Sequence, residues 1–306
     1  MNRRYGLMLI LLALIWGSSF MFIKVAVRQL DPATLILGRL GLAALTLGVV
    51  VPALLGVRAT VTELRAHWPA LALVGLLNTA VPFWLLSWGE TRIDSGLASI
   101  IQASVPIFNA LLAFAFFHDQ RVTGRALVGV AVGFVGVAVL VGAQPQAKIL
   151  GALAVVGMAT CYAIGGLLTR RYLGATRPQV VALGTSAIAA IAVLPFGVLQ
   201  APSHVPGWKA LASVAVLGVL GTAVAYLLFF TIIAGAGAAY ASLVTYLVPP
   251  VALAYGALFL GESVGAAALI GLVLIFAGVT LGTRGGRRRA SASVGDARIA
   301  PAAPEP

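Results

Sequence analysis

Ten stretches of about 20 apolar residues each fill most of this chain, and the second five repeat the first five. Pro106 and Pro249 stand mid-stretch at matching places, 143 residues apart. Two copies of an odd number of membrane-crossing helices must enter the bilayer in opposite senses, so such a chain folds as an inverted repeat. A proline at corresponding mid-membrane positions interrupts the backbone ladder at a depth where a solute can be held. Continuous apolar runs predict helices, because an outer-membrane barrel needs alternating strands of about ten residues. The expected fold class is an all-α membrane protein with ten transmembrane helices as two inverted five-helix repeats.

The expected spans are Tyr5–Val27, Ala33–Leu55, Trp68–Gly89, Ser95–Phe117, Gly124–Gly142, Leu150–Thr169, Gln179–Leu199, Trp208–Ile233, Gly237–Leu260 and Val264–Gly282. Repeat one occupies residues 5–142 and repeat two residues 150–282. The remainder, 283–306, is a basic tail rich in Arg, Ala, Ser and Pro, expected to be disordered. Composition agrees: 61% of residues are hydrophobic and 9% charged, against about 25% charged in a soluble domain.

A net charge of +12 raises a nucleic-acid reading, which the placement of the basic residues decides. With a cytoplasmic N-terminus, 14 of the 20 Lys and Arg residues fall inside, a positive-inside pattern that puts both termini in the cytoplasm of a multi-pass cell (inner) membrane protein. Arg287–Arg289, just after the last span, then meet anionic lipid headgroups rather than nucleic acid. The apolar run after Arg3 and Arg4 continues past Ser18 and Ser19 to Val27, longer than a signal-peptide core, so it is read as an uncleaved first span. Cys161 is the single cysteine; with no partner it offers neither a disulfide nor a thiolate metal site, and no metal or cofactor is expected.

The third and fourth spans overlay the eighth and ninth at a constant offset of 143: Thr79, Ala80 and Val81 fall on Thr222, Ala223 and Val224, Ala98 and Ser99 on Ala241 and Ser242, and Asp119 on Glu262. The first and sixth spans pair Trp16 with Tyr162 and Lys24 with Arg170 at an offset of 146. The fifth and tenth pair Gly129 with Gly271 and Gly136 with Gly278 at 142. Those glycines allow close backbone approach, either as a rigid support within the chain or as a dimer face.

Trp16, Gly17, Ser18, Ser19 and Phe20, then Ile23, Lys24, Pro32 and Arg39, resemble the opening pattern of the EamA family within the drug/metabolite transporter superfamily. Ala241 and Ser242 to Pro249, Gly261 and Glu262, and Gly271 to Gly278 resemble the end of that family's repeat unit. The first copy departs from it, with His118 and Asp119 where Gly261 and Glu262 stand in the second. The resemblance implies a carrier of amino acids, sugars or other metabolites.

Residues three, four and seven apart share a helix face. Ser99, Gln102, Pro106 and Asn109 follow that spacing on the fourth span, and Ser242, Thr245 and Pro249 repeat it on the ninth. The stripe suits either a pocket that hydrogen-bonds a solute or helix–helix contacts worth about 0.6 kcal/mol each. Asn78 and Thr79 with Thr222 and Tyr226 form a second matched pair of polar helix centres, and Trp16 and Ser19 with Tyr162 are walls or packing. The pocket is expected between the third, fourth, eighth and ninth helices, with the first and sixth as walls.

Ionisable groups deep in a membrane are functional candidates by default, and Lys24, Arg39, Glu90, Asp119 and Glu262 are the gate or coupling candidates here. Arg39 binds a substrate carboxylate or snorkels to the surface. Glu90 is placed at the outer interface. Asp119 and Glu262 offset the positive N-terminal ends of the fifth and tenth helices, or form gates on opposite faces.

No P-loop and no H-E-x-x-H pair is present, and His67, His118 and His204 are isolated in expected loops, so an enzyme is not expected. The function expected is a secondary transporter moving a small polar or amphipathic metabolite, an amino acid among the candidates, outward across the inner membrane by alternating access and down its gradient. The alternatives are a passive channel for small solutes and a proton-coupled antiporter using Glu90. Expected partners are the small-molecule substrate and membrane lipid, with no nucleic acid, the protein being a monomer or homodimer.

Overall fold

The computed structural model describes residues 3–116 and 125–296; Asp119 and His118 lie outside the described residues. Side chains are described for 3–112, 127–146, 148–238 and 240–281. Every described element is helical. Among the described residues seven helices are long and apolar enough to cross a membrane, and Leu127–Gly142, Val244–Leu260 and Ala266–Leu281 are shorter apolar helices.

α1 (Arg3–Ala26) and α2 (Pro32–Leu55) are joined by a tight turn in which Pro32, lacking an N–H, starts α2 at no loss to its ladder. Gly56, at φ 88°, ends α2 in a conformation that side chains with a Cβ rarely adopt. The next helix starts at Val57, earlier than the expected Trp68, so His67 is helical rather than in a loop. It comprises α3 (Val57–Gly75), a π-helical turn at Leu76–Ala80 and α4 (Val81–Glu90).

The rest of the first half is α5 (Ser95–Gln102), α6 (Val105–Phe116) and α7 (Arg125–Gly142). The second half comprises α8 (Gln146–Leu173), α9 (Pro178–Leu199), α10 (Trp208–Gly218), a second π-helical turn at Val219–Val224, α11 (Ala225–Ala236), α12 (Ala238–Ala241), α13 (Val244–Leu260) and α14 (Ala266–Asp296).

The two π turns begin at residues 76 and 219, the 143-residue offset that relates the sequence copies. The proline breaks do not correspond in the same way. Pro106 sits in the first turn of α6, just after an interruption at Ala103 and Ser104, where its missing N–H has no helical acceptor to lose. Pro249 and Pro250 lie within the unbroken α13, and the interruption in that copy falls earlier, at Ser242 and Leu243. Helix also continues through Asp296 where a disordered tail is expected from 283; Arg and Ala, frequent in that stretch, are good helix formers.

The bundle is apolar on its exterior: Leu45, Val49, Ile191 and Leu258 are 69–77% exposed, as lipid-facing side chains require. Inside, α1 packs on α13, α10 and α11, α2 on α9 and α10, and α4 on α8. α7 and α14 pack backbone to backbone, since a Cβ on Gly278 would lie 2.6 Å from the Gly133 nitrogen, and one on Gly136 3.1 Å from Gly271 O. These glycines therefore join two helices of one chain.

Candidate functional site

The face of α1 presents Trp16, Ser19, Phe20 and Ile23 at positions i, i+3, i+4 and i+7 to a central cavity of about 210 Å³. α2 adds Arg39, the first π turn Asn78, and α4 Phe83 and Leu86. Gln102 at the end of α5, Tyr162 of α8, Gly221 of the second π turn and Tyr226 of α11 complete the lining. π-helical turns widen a helix by one residue and recur at functional sites; here each turn contributes one cavity residue.

The cavity thus joins Trp16, Ser19, Asn78, Gln102, Tyr162 and Tyr226 of the expected substrate set. Thr79 and Ser99 are buried away from it, and Ser99 spends its hydroxyl on Gly96 O at 2.6 Å. Pro106 and Asn109 are half-buried outside the lining. Ser242 and Thr245 are exposed, with the Thr245 hydroxyl donating to Ser242 O, and Pro249 is buried in α13. The ninth span therefore supplies no wall, and the second span, left out of the expected pocket, supplies its one cation. In the second copy the break falls at Ser242 itself, and both Ser242 and Thr245 face outward. Phe20, Ile23, Phe83 and Leu86 carry no polar signal; Phe20 and Ile23 lie four residues beyond Trp16 and Ser19, while Phe83 lies five beyond Asn78, across the π turn, and Leu86 three beyond Phe83. Gly221, beside Thr222, is found only through the π turn.

Arg39 does not snorkel. It is 5% exposed, its Nε–H donates to Thr222 Oγ1 at 3.0 Å, and its guanidinium stacks 4.0 Å above the Phe83 ring. Thr222 in turn donates to Leu217 O at 2.9 Å, a five-residue reach that the second π turn provides, so the hydroxyl is oriented to accept from Arg39. Among the described residues Arg39 forms no ion pair and no further hydrogen bond, which leaves its two terminal nitrogens for the cavity. A guanidinium presents its donors as a planar fork matched to a carboxylate.

Small residues set the spacing around the cavity. A Cβ on Gly165 would meet the Asn78 amide Oδ1 at 2.7 Å, and one on Gly221 would come 3.0 Å from Ser19 Oγ. Trp16 is braced by Phe229 with centroids 5.4 Å apart.

Glu90 is enclosed by the bundle. It closes α4 one turn beyond Leu86, is 0% exposed, and neither carboxyl oxygen has a hydrogen-bond partner among the described residues. Lys24, next to Ile23, points its ammonium at backbone instead: Nζ donates to Glu90 O and to Ile93 O, each at 2.7 Å.

Glu262 acts on a helix N-terminus other than the expected one. Its Oε1 accepts from Ser95 N at 2.9 Å, and its Oε2 from Ser95 Oγ at 2.8 Å and Gly96 N at 3.1 Å, satisfying the opening turn of α5 in the other copy. Asp94, at the capping position, makes no side-chain cap, and Gly256 leaves room for the visiting carboxylate, since a Cβ there would meet Glu262 Oε2. A second tie between the copies joins Glu63 of α3 to Arg177, whose Nε lies 2.6 Å from Oε2 and whose backbone N–H donates to Oε1 at 2.7 Å.

A lipid-facing helical bundle around a partly polar cavity, with a buried cation in its wall, defines a multi-span membrane protein of the transporter class, not an enzyme. The chain belongs to the EamA-like transporter family, whose pattern matches residues 4–142 and again 149–284. It is 32% identical to a probable terminal-alkyne amino-acid exporter of Streptantibioticus cattleyicolor, over 94% of this chain and 96% of that one. A probable amino-acid metabolite efflux pump of Salmonella typhimurium is 29% identical, over 96% and 99%. A solved crystal structure with 19% identity superposes with a TM-score of 0.65 over 94% of this chain and 99% of the other, a likeness of fold alone.

Proposed function

We propose that this protein exports a small amino-acid-like metabolite across the inner membrane by alternating access, its ten helices forming two inverted five-helix repeats with both termini cytoplasmic. The observation that carries the reading is Arg39: a buried cation on the cavity wall, held at Nε by Thr222 and by Phe83, with its remaining donors unused. A carboxylate is the natural complement of that fork, and it supplies the counter-charge that a buried guanidinium otherwise lacks. Asn78, Gln102, Tyr162 and Tyr226 offer uncharged hydrogen bonds beside it, while Trp16, Phe20 and Phe83 suit an apolar side chain. Both named relatives quoted above are described as handling amino acids or their metabolites, which supports the same class.

Alternating access draws support from the two ties between the copies. In the inverted topology Glu262 with Ser95 and Gly96 lies toward the periplasmic end, and Glu63 with Arg177 toward the cytoplasmic end. Opening either end requires only its own tie to part. The test is release of metabolites from cells with and without the protein, followed by flux of the compounds found in proteoliposomes. Solute-dependent, saturable flux supports the carrier; a steady ion current without solute dependence overturns it in favour of a channel.

A further inference from the structure

Between the cavity and one end of the bundle the chain buries the Glu90 carboxyl and sets the half-buried Lys24 ammonium against the backbone beside it, without pairing the two. Among the described residues Glu90 has no donor to either oxygen, while Lys24, within reach of the Glu90 backbone, is bonded to two carbonyls. An ionised carboxylate removed from water and left without a hydrogen bond is strongly disfavoured, and a neutral carboxylic acid is the form that such a site accepts. Lys24 is compensated separately: its ammonium donates hydrogen bonds to the Glu90 carbonyl, at the C-terminal end of α4 where partial negative charge gathers, and to the Ile93 carbonyl in the turn that follows.

We propose that Glu90 is a proton-binding site that couples transport to proton movement, with Lys24 as its exchangeable counter-ion. In the conformation described here the proton sits on the Glu90 carboxyl. When the cavity opens to the cytoplasm and hydrates, the carboxyl releases that proton to water, and the Lys24 ammonium turns from Glu90 O and Ile93 O to the carboxylate. Reprotonation from the periplasmic face, to which Glu90 lies nearer, restores the present arrangement, so one proton enters per cycle in exchange for the exported solute.

The placement favours coupling rather than a merely structural acid. Leu86, one turn before Glu90, and Ile23, beside Lys24, both line the cavity, so a movement that opens this end moves both partners. The charged groups that bear on Glu90 are Lys24 from α1, Arg39 from α2 and Glu262 from the segment after α13. Of the other helices packed on α4, α8 carries Lys148, Cys161 and Tyr162, with Arg170, Arg171 and Tyr172 at its far end, and α5 has no ionisable residue but follows Asp94. A proton on Glu90 thus senses both the Arg39 site and the Glu262 tie. This inference rests on the carrier reading above, and it replaces simple downhill movement as the energetics of the cycle.

The full chain is reconstituted in lipid vesicles and examined by infrared difference spectroscopy across pH, then assayed for accumulation of L-propargylglycine, a terminal-alkyne amino acid, under an imposed pH gradient. Wild type is expected to show the C=O stretch of a buried protonated carboxyl group that Glu90→Gln removes and Glu262→Gln keeps. In Lys24→Met that band should persist to more alkaline pH. Glu90→Gln, which mimics the protonated form and keeps its size, should retain downhill flux while gradient-driven accumulation falls to an in/out ratio of one. Absence of the band in wild type, or undiminished accumulation by Glu90→Gln, overturns the proposal. A wild-type band without any flux of the probe upholds the proton site and refutes the substrate class instead.

Discussion

Replacing Arg39 by Met separates substrate recognition from structural support. The guanidinium is 5% exposed and makes two contacts that hold the fold, the 3.0 Å bond to Thr222 and the 4.0 Å stack on Phe83. Together these are worth about 2–5 kcal/mol in isolation. Against them stands the burial of an unpaired charge, an effective penalty of several kcal/mol after relaxation. Methionine keeps the stem, packs on Phe83 and carries no charge, so the thermal midpoint of the solute-free protein should stay level or rise. Transport should respond otherwise. A charge-assisted bond from Arg39 to a carboxylate contributes about 1.5–3 kcal/mol, which corresponds to a rise in KM of about tenfold to 150-fold. Arg39→Lys, retaining charge without the fork, should fall between the two. The assay is counterflow of labelled amino acids in proteoliposomes beside a melting curve of the same preparation. A variant that melts lower while its KM is unchanged would refute the reasoning, and Arg39 would then be a strut between α2 and the second π turn.

Glu262→Gln weakens the cap on α5, because two backbone N–H groups and the Ser95 hydroxyl lose a charged acceptor; a loss of about 1–2 kcal/mol in stability is expected from thermal melts, with easier labelling of a cysteine placed at Ser95. Gly165→Ala drives a methyl into the Asn78 side chain, its Cβ falling 2.5 Å from Asn78 Cβ, so flux should fall several-fold with little change in expression. Gly278→Leu forces α14 away from Gly129 and Gly133 of α7; overpacking of about 1–3 kcal/mol should appear as a lower melting temperature, without a change in oligomeric state.

Much of the architecture is legible in the sequence because a membrane restricts the backbone to few solutions. Apolar runs of spanning length leave helices as the only economical structure, and the 143-residue offset between Thr79–Val81 and Thr222–Val224 anticipates that both copies deform at the same place. What the offset cannot convey is the kind of deformation. A π turn needs one extra residue within a helix and has no signature comparable to proline, so attention falls on Pro106 and Pro249, only the first of which stands at a break.

The same limit explains the mixed reading of the site. Gln102, Trp16 and Tyr162 reach the cavity because their helices are regular up to those positions, so spacing and facing agree, whereas Asn78 reaches it from within the π turn itself. Ser242 and Thr245 do not, because an interruption beside them resets the facing of all that follows. Charge is read poorly for a different reason. Arg39 and Glu90 stand near the ends of apolar runs, where a long side chain ordinarily escapes to water. Whether it escapes depends on what neighbouring helices place in its path, and here Phe83 and Thr222 hold Arg39 inward while α1 and α8 pack around the end of α4. Burial of these two groups is a tertiary fact, and it turns the sparse ionisable residues of the chain from surface anchors into the most chemically loaded points of its interior.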